Sequence, residues 1–209
     1  MARDPLADAS KRLSWLLRHG AREAGLAMDA AGWAAIDDVL ALTPIDRATL
    51  EQVVATSDKG RLAIAGARIR AVQGHSLAGT PVTLDALEAS WTVVTDDAPI
   101  FHGTRLAVLG PIERDGLVPG ARTHVHLAES PDARAGKRAQ VDVLLEVAPA
   151  ALRAAGIALH RAPNGVVLAR RVPPVCIRRL HPRTRRAARD LPLLPWFQRL
   201  EGEVRGPSG

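Results

Sequence analysis

The chain has one cysteine, no tyrosine and only two phenylalanines in 209 residues. A lone thiol, Cys176, forms no internal disulfide, so nothing points to an oxidising compartment and a cytoplasmic location is the expectation. Long apolar runs are missing too. None approaches the roughly 20 residues that span a bilayer, and the opening "MARDPLADASKRLSW" lacks the apolar core of a secretory leader. A soluble protein with no membrane partner follows. Heptads and internal repeats are likewise absent, which favours a monomer over a coiled-coil assembly or a solenoid. Lysine is scarce, three against 25 arginines, a bias that genome base composition explains as readily as function does.

What is present is a formal charge of +6. Such an excess suits polyanionic partners, nucleic acid or phosphorylated ligands, although solubility alone accounts for it equally well. The length allows one large domain or two small lobes, each with its own core.

Ser10 reads as an N-cap, with Leu13, Leu16 and Leu17 at helical spacing up to Gly20, giving a helix over about 11–19. "GWAAIDDVLAL" puts Trp33, Ile36, Val39 and Leu40 on one helical face. Thr43 and Pro44 then read as the N-cap and first turn of a third helix carrying Leu50, Val53 and Val54. "GRLAIAG" and "ARIRAV" alternate as strands joined near Gly66. Three helices and a hairpin is the element order of a winged helix, a common nucleic-acid-binding module. Periodicity is lost between about Leu77 and Pro99, which reads as a connection between lobes. Beyond it, "PIFHGT", "THVHLA", "QVDVLLEV" and "GVVLARRV" read as strands, with helices near 105–114 and 149–155. The fold class is therefore α+β with a β-rich second lobe. The basic, proline-punctuated tail reads as disordered or as an added helix.

Several residues are suited to chemistry. Arg68 and Arg70, two apart on a strand, share a face and offer forked donors to a phosphate; the plain alternative is a solvated strand touching a backbone without specificity. Arg18 and His19 end an amphipathic helix, where a cation is favoured in any case. "FHGT" at 101–104 offers a histidine, a glycine and a hydroxyl at a strand end, a pattern that a simple turn also produces. In "RTHVHL", strand alternation puts Arg122, His124 and His126 on one face and apolar residues on the other. Paired histidines, with His102 or His75, could hold a metal, but Arg122 would place a cation beside it, so the expectation is no metal.

Taken in order, "LSWLLRHG", "GWAAIDDVL", "VVATSDKGRLAI", "IRAVQGHS", "IFHGT", "GLVPGARTHVHLA" and "NGVVLARRVPP" resemble the RNA 2′-phosphotransferase family, the family of the tRNA-splicing 2′-phosphotransferase and its bacterial relatives. The match runs over about residues 10–180, and "RAVQGHS" and "THVHL" are its most specific pieces. The resemblance implies a winged-helix RNA lobe over 1–80, a connection over 81–98, an ADP-ribosyltransferase-like lobe over 99–180 that binds NAD⁺ as co-substrate, and a basic tail of open role over 181–209. The active site would lie between the lobes. The implied activity removes an internal 2′-phosphate from RNA through a 2′-phospho-ADP-ribosylated intermediate, releasing nicotinamide and ADP-ribose 1″,2″-cyclic phosphate.

Carried over by position, the family's catalytic set falls on Arg18, His19, Arg70 and Arg122. Arg68, Arg70, Arg18 and His19 would grip the RNA 2′-phosphate. His102, Gly103, Thr104, His124 and His126 would bind NAD⁺. Asp58, Lys59, Arg61, Gln73, His75 and Ser76 would line the site without an assigned step. Ser57, Leu62 and Ala128 depart from the family's usual asparagine, phenylalanine and serine at those places. Two other readings compete: a relative that ADP-ribosylates terminal phosphates of RNA or DNA, and a winged-helix RNA-binding protein without catalysis.

Overall fold

A computed structural model describes residues 4–133 and 141–205. The chain is a mixed α+β protein with small antiparallel sheets, and it divides into two compact units. The first contains the residues through Thr92 together with Gly120–Thr123 and Ala162–Asn164. The second contains the rest.

In the first unit, helix α1 (Pro5–Trp15) starts earlier than the sequence suggests. Asp4, not Ser10, is the N-cap: its carboxylate accepts from the Leu6 amide at 3.0 Å, and Pro5 fills the first-turn position where no amide is missed. Leu13 is fully buried on its inner face, and so is Leu17 just past its end. The helix does not end at Gly20 by capping but widens into a π-turn, Leu16–Gly20, that carries Arg18 and His19. Strand β1 (Ala34–Ala35) and helices α2 (Ile36–Ala41) and α3 (Arg47–Ala55) follow. The third helix is capped by Asp46, whose carboxylate accepts from the Thr49 amide at 2.8 Å. Thr43 instead donates its hydroxyl to the Val39 carbonyl at the end of α2. Strands β2 (Leu62–Ala65) and β3 (Arg68–Ala71) form the expected hairpin, turned by Gly66 at φ 59°. With β1 they make an antiparallel sheet in the order β1-β3-β2. The stretch read as a connection is partly ordered into helix α4 (Leu84–Ala89), capped by Thr83 and held inward by Leu87 and Trp91, which are both buried. The Trp91 indole donates to the Val72 carbonyl at 2.9 Å.

The chain enters the second unit at β4 (Thr92–Val93). Strands β5 (Ile100–Thr104), β7 (Val143–Val147) and β10 (Ile177–Pro182) form one sheet with β7 central, and β4, β8 (His160–Arg161), β9 (Val167–Ala169) and β6 (Val125–Leu127) form another. Reciprocal amide bonds of 2.8 Å between Phe101 and Ala128 join them. Helices α5 (Leu109–Asp115) and α6 (Pro149–Ala154) lie where short helices were expected.

The tail folds into α7 (Arg185–Asp190) and α8 (Pro195–Arg205). It is part of the core: Ala187 and Leu191 are fully buried, and Trp196 and Leu200 pack in the same apolar cluster as Leu145 and Val147 of β7. Trp196→Ala is expected to cost about 3–5 kcal/mol of folding stability, the range for truncating a buried aromatic residue. Urea titration checks this, and an unchanged midpoint would show that the tail is an appendage.

Candidate active site

The residues Val72–Ser76 follow β3 as a buried loop, and it organises the first unit's polar residues. The Ser76 amide donates to the Arg18 carbonyl at 2.9 Å, and the Ser76 hydroxyl lies 3.3 Å from the same oxygen. That hydroxyl is also 3.2 Å from His19 Nδ1. Since its single proton goes to the carbonyl, His19 Nδ1–H donates to Ser76 Oγ and Nε2 is left as an acceptor. Gly74, at φ 91°, brings bare backbone against the Arg18 guanidinium; a Cβ there would lie 3.4 Å from Nε. Gly79 backs the π-turn more tightly still. A Cβ on it would come within 1.8 Å of the His19 carbonyl oxygen.

Arg18 is the most perturbed cation in the site. Its Nε and Nη2 are buried with no hydrogen-bond acceptor, and burial, then the nearby Arg61 and Arg122 charges, push its pKa down to about 10. It stays protonated at neutral pH, but in a setting that favours an incoming anion. His19 is pushed below the ordinary histidine value by burial, then by Arg18 and Arg122, which keeps it neutral and able to accept a proton.

Arg70 is 6% exposed on β3. Its Cζ lies 4.7 Å from the centre of the Trp33 ring, its Nη1 donates to the Ala31 carbonyl at 3.4 Å, and its Nε is buried without an acceptor. Burial lowers its pKa, and Asp29 counteracts part of that. Arg68 shares the same ring at 5.4 Å but is exposed and pairs with Asp29 at 3.6 Å. Trp33, read from the sequence as a helical core residue, is thus the platform under both arginines. It precedes α2 because Asp29 Oδ1 accepts from the amides of Ala31 and Trp33 at 2.9 Å, and Gly32 turns the chain at φ 86°. An aspartate three residues before a glycine, with an aromatic next, was the available signal.

The remaining expected residues of the first unit converge as follows. Gln73 and His75 are buried in the loop, and the His75 carbonyl accepts from the Thr123 amide at 2.9 Å, tethering the segment that bears Arg122. Arg122 is therefore not on a strand: β6 begins only at Val125, and the three-residue alternation from Arg122 to His126 does not hold. Asp58 is exposed, the Lys59 carbonyl accepts from Asn164 Nδ2 at 2.9 Å, and Arg61 lies close enough to depress Arg18. Asn164 was not anticipated.

In the second unit, His102, Gly103 and Thr104 lie on β5 and His126 on β6. His102 Nδ1 is 3.0 Å from the His126 carbonyl, so that nitrogen carries the proton and Nε2 is an acceptor. Thr104 and His124 are buried, and His126 is half-buried between the core-facing Val125 and Leu127. Among the described residues, no three His, Cys, Asp or Glu side chains are grouped as a metal site.

A family model described as RNA 2′-phosphotransferase, Tpt1 / KptA family, matches residues 4–171. The chain belongs to that family. Among relatives, probable RNA 2′-phosphotransferases are 41% identical in Pseudomonas aeruginosa, covering 83% of this chain and 96% of that protein, and 43% identical in Burkholderia lata, covering 78% and 86%. A third, from Agrobacterium fabrum, is 41% identical over 78% of this chain and 89% of its own. The family match ends at residue 171, ahead of the last strand and both tail helices.

Two outcomes follow from the buried charge. Arg18→Met is expected to raise the melting temperature at low ionic strength, because it removes a buried cation that has no partner. Inorganic phosphate should raise the melting temperature of the native protein more than that of the variant, which keeps only Arg68 and Arg70 for the anion. Because the folded pKa of His19 is depressed, the unfolded chain binds its proton first. Stability linked to His19 is complete above the ordinary histidine value and is lost as pH falls through it toward the folded value. A His19→Gln variant should show a shallower loss on acidification, read from thermal melts at a series of pH values.

Proposed function

We propose that the protein is an NAD⁺-dependent RNA 2′-phosphotransferase. The observation that carries the reading is the set of guanidinium nitrogens on Arg18 and Arg70 that are buried without acceptors, the first of them next to a histidine whose protonation is disfavoured, in a chain of this family. Family membership supports the phosphotransferase activity itself. The dependence on NAD⁺ and the residue roles are our inference.

NAD⁺ supplies an electrophilic ribose carbon that bears nicotinamide as a leaving group. His102, Gly103, Thr104, His124 and His126 would hold its ribose and nicotinamide, with His102 Nε2 accepting from a ribose hydroxyl. Arg18, Arg68 and Arg70 bind the RNA 2′-phosphate, which is close to a dianion and needs no base to act as a nucleophile; holding it in line is the main contribution. A phosphate oxygen bonds to the ribose carbon as the carbon–nitrogen bond breaks. In the second step a ribose hydroxyl attacks phosphorus and the RNA 2′-oxygen leaves. His19 Nε2 takes the attacking hydroxyl's proton and returns it to the departing 2′-oxygen, and Arg18 and Arg122 offset the charge that gathers on the phosphoryl oxygens. Ser76 keeps the basic nitrogen of His19 directed away from its own hydroxyl.

The test is an incubation with NAD⁺ and a short RNA carrying one internal 2′-phosphate, with chelator present, followed by mass spectrometry of the RNA. The expected products are 2′-hydroxyl RNA and ADP-ribose cyclic phosphate. Unchanged RNA, with nicotinamide released only when a terminally phosphorylated oligonucleotide is supplied, would move the assignment to terminal phosphates. Replacing Arg18, His19 or Arg122 by alanine should let RNA heavier by one ADP-ribose accumulate, at a loss of 10²-fold or more in the second step by the usual size of acid–base and charge-stabilising effects.

A further inference from the structure

The positive charge of the chain is unevenly placed. Residues 1–92 hold ten arginines and lysines against eleven carboxylates, whereas residues 172–209, outside the family match, hold eight arginines against three. Six of those eight fall between 178 and 189, a stretch with no aspartate or glutamate.

The structure displays them to solvent on adjacent elements of the second unit. β10 is an edge strand of its sheet, and its register with β7 shifts between Ile177 and Arg179. That bulge leaves two consecutive side chains, Arg178 and Arg179, exposed where strict alternation would bury one. Pro182 ends the strand, the Arg183 amide donates to the Asp142 carbonyl at 2.8 Å, and Thr184 caps α7 by accepting from the Ala187 amide at 3.1 Å. On α7 the 100° step per residue sets Arg185, Arg189 and Arg186 within one outward arc of about 100°, opposite the buried Ala187.

Local neutralisation is partial. Asp190 pairs with Arg186 and Arg189, and the exposed Asp132 lies 3.5 Å from Arg183. Glu146, opposite Arg179 in register, is engaged by His181 at 2.7 Å. No carboxylate pairs with Arg178, Arg179 or Arg185 among the described residues. Protection of an edge strand accounts for arginines on β10 but not for the three on α7. The outward arc of α7 also carries no large apolar side chain that would favour a lipid surface.

We propose that the β10–α7 arginine surface binds the phosphodiester backbone of the substrate RNA without regard to sequence, a reading that rests on the RNA activity above. Guanidinium forks suit phosphodiester oxygens, and each phosphate neutralised releases counter-ions, so the contact is strongly salt-dependent.

The experiment uses full-length protein and two variants, Arg178→Gln/Arg179→Gln and Arg185→Gln/Arg186→Gln/Arg189→Gln, checked for native melting temperature. Binding of a fluorescent 20-nucleotide RNA lacking any 2′-phosphate is followed by anisotropy over a salt series. The triple variant should bind at least 10-fold more weakly at low salt, with a slope of log affinity against log salt shallower by about 2, from about 0.7 per single-strand phosphate contact. Turnover of a 2′-phosphorylated dinucleotide should be unchanged, whereas KM for a long RNA should rise. Absence of RNA binding by the native protein, or equal affinity and slope in the variants, overturns the proposal. So does loss of binding to phosphatidylserine vesicles in the variants while RNA binding persists, which would make the surface a lipid site. Because the anisotropy readout needs no turnover, inactivity on every phosphorylated RNA would count against the proposed reaction and not against this surface.

Discussion

The Arg18 carbonyl receives both the amide and the hydroxyl of Ser76, and this tie orders the catalytic candidates of the first unit. It joins the π-turn to the loop after β3 at a single oxygen. One end of the loop emerges from the strand that bears Arg70, and its middle supplies the His75 carbonyl that receives the Thr123 amide. Distant stretches of the chain, Arg18 with Ser76 and His75 with Thr123, are therefore tied by backbone amide bonds, which do not depend on rotamers. The side chains are left to do something else.

What they do is energetically unfavourable in isolation. Arg18 is buried beside two other arginines with two nitrogens unsatisfied, and such a group costs stability that the fold must supply elsewhere. The compensation is visible in the apolar packing under the π-turn, where Leu13, Leu16 and Leu17 are all buried, and in Gly74 and Gly79, whose missing side chains let backbone close in. A site arranged in this way is complementary to an anion before the anion arrives. The depressed histidine follows from the same arrangement: burial, and then the neighbouring Arg18 and Arg122 charges, disfavour a proton on His19.

Motif and element order were legible where local rules dominate. The β2–β3 hairpin follows from alternation and Gly66, and the burial of Leu13, Leu17, Leu50 and Ile69 follows from periodicity. Helix starts were less legible because more than one capping residue was on offer: Asp4 with Pro5 competed with Ser10, and Asp46 with Thr43. The π-turn has no sequence signature of its own. Trp33 was misassigned because its spacing from Ile36 fits a helix, while Asp29 and Gly32 turn the chain first. Arg122 looked like a strand residue because alternation extended one turn too far; a long-range amide bond to His75 decides its place, and no local pattern encodes that. The tail looked detachable because of its charge, yet its apolar residues, Leu191, Trp196 and Leu200, are spaced to fill the second unit's core.

The distribution of charge then separates two tasks that a net value of +6 conflates. The first unit's sequence is close to neutral, so its cations act by burial and geometry at one place and not as a diffuse field. The exposed arginines accumulate beyond the family match, on elements whose inner faces are fixed by packing and whose outer faces are therefore free to vary. Buried cations without acceptors confer discrimination, since an occupant that cannot supply oxygens leaves them unsatisfied. Exposed cations confer little discrimination but a salt-sensitive hold on any polyanion. A substrate that presents one special phosphate among many ordinary ones would call on both properties, and the two kinds of cation lie on different elements of this chain.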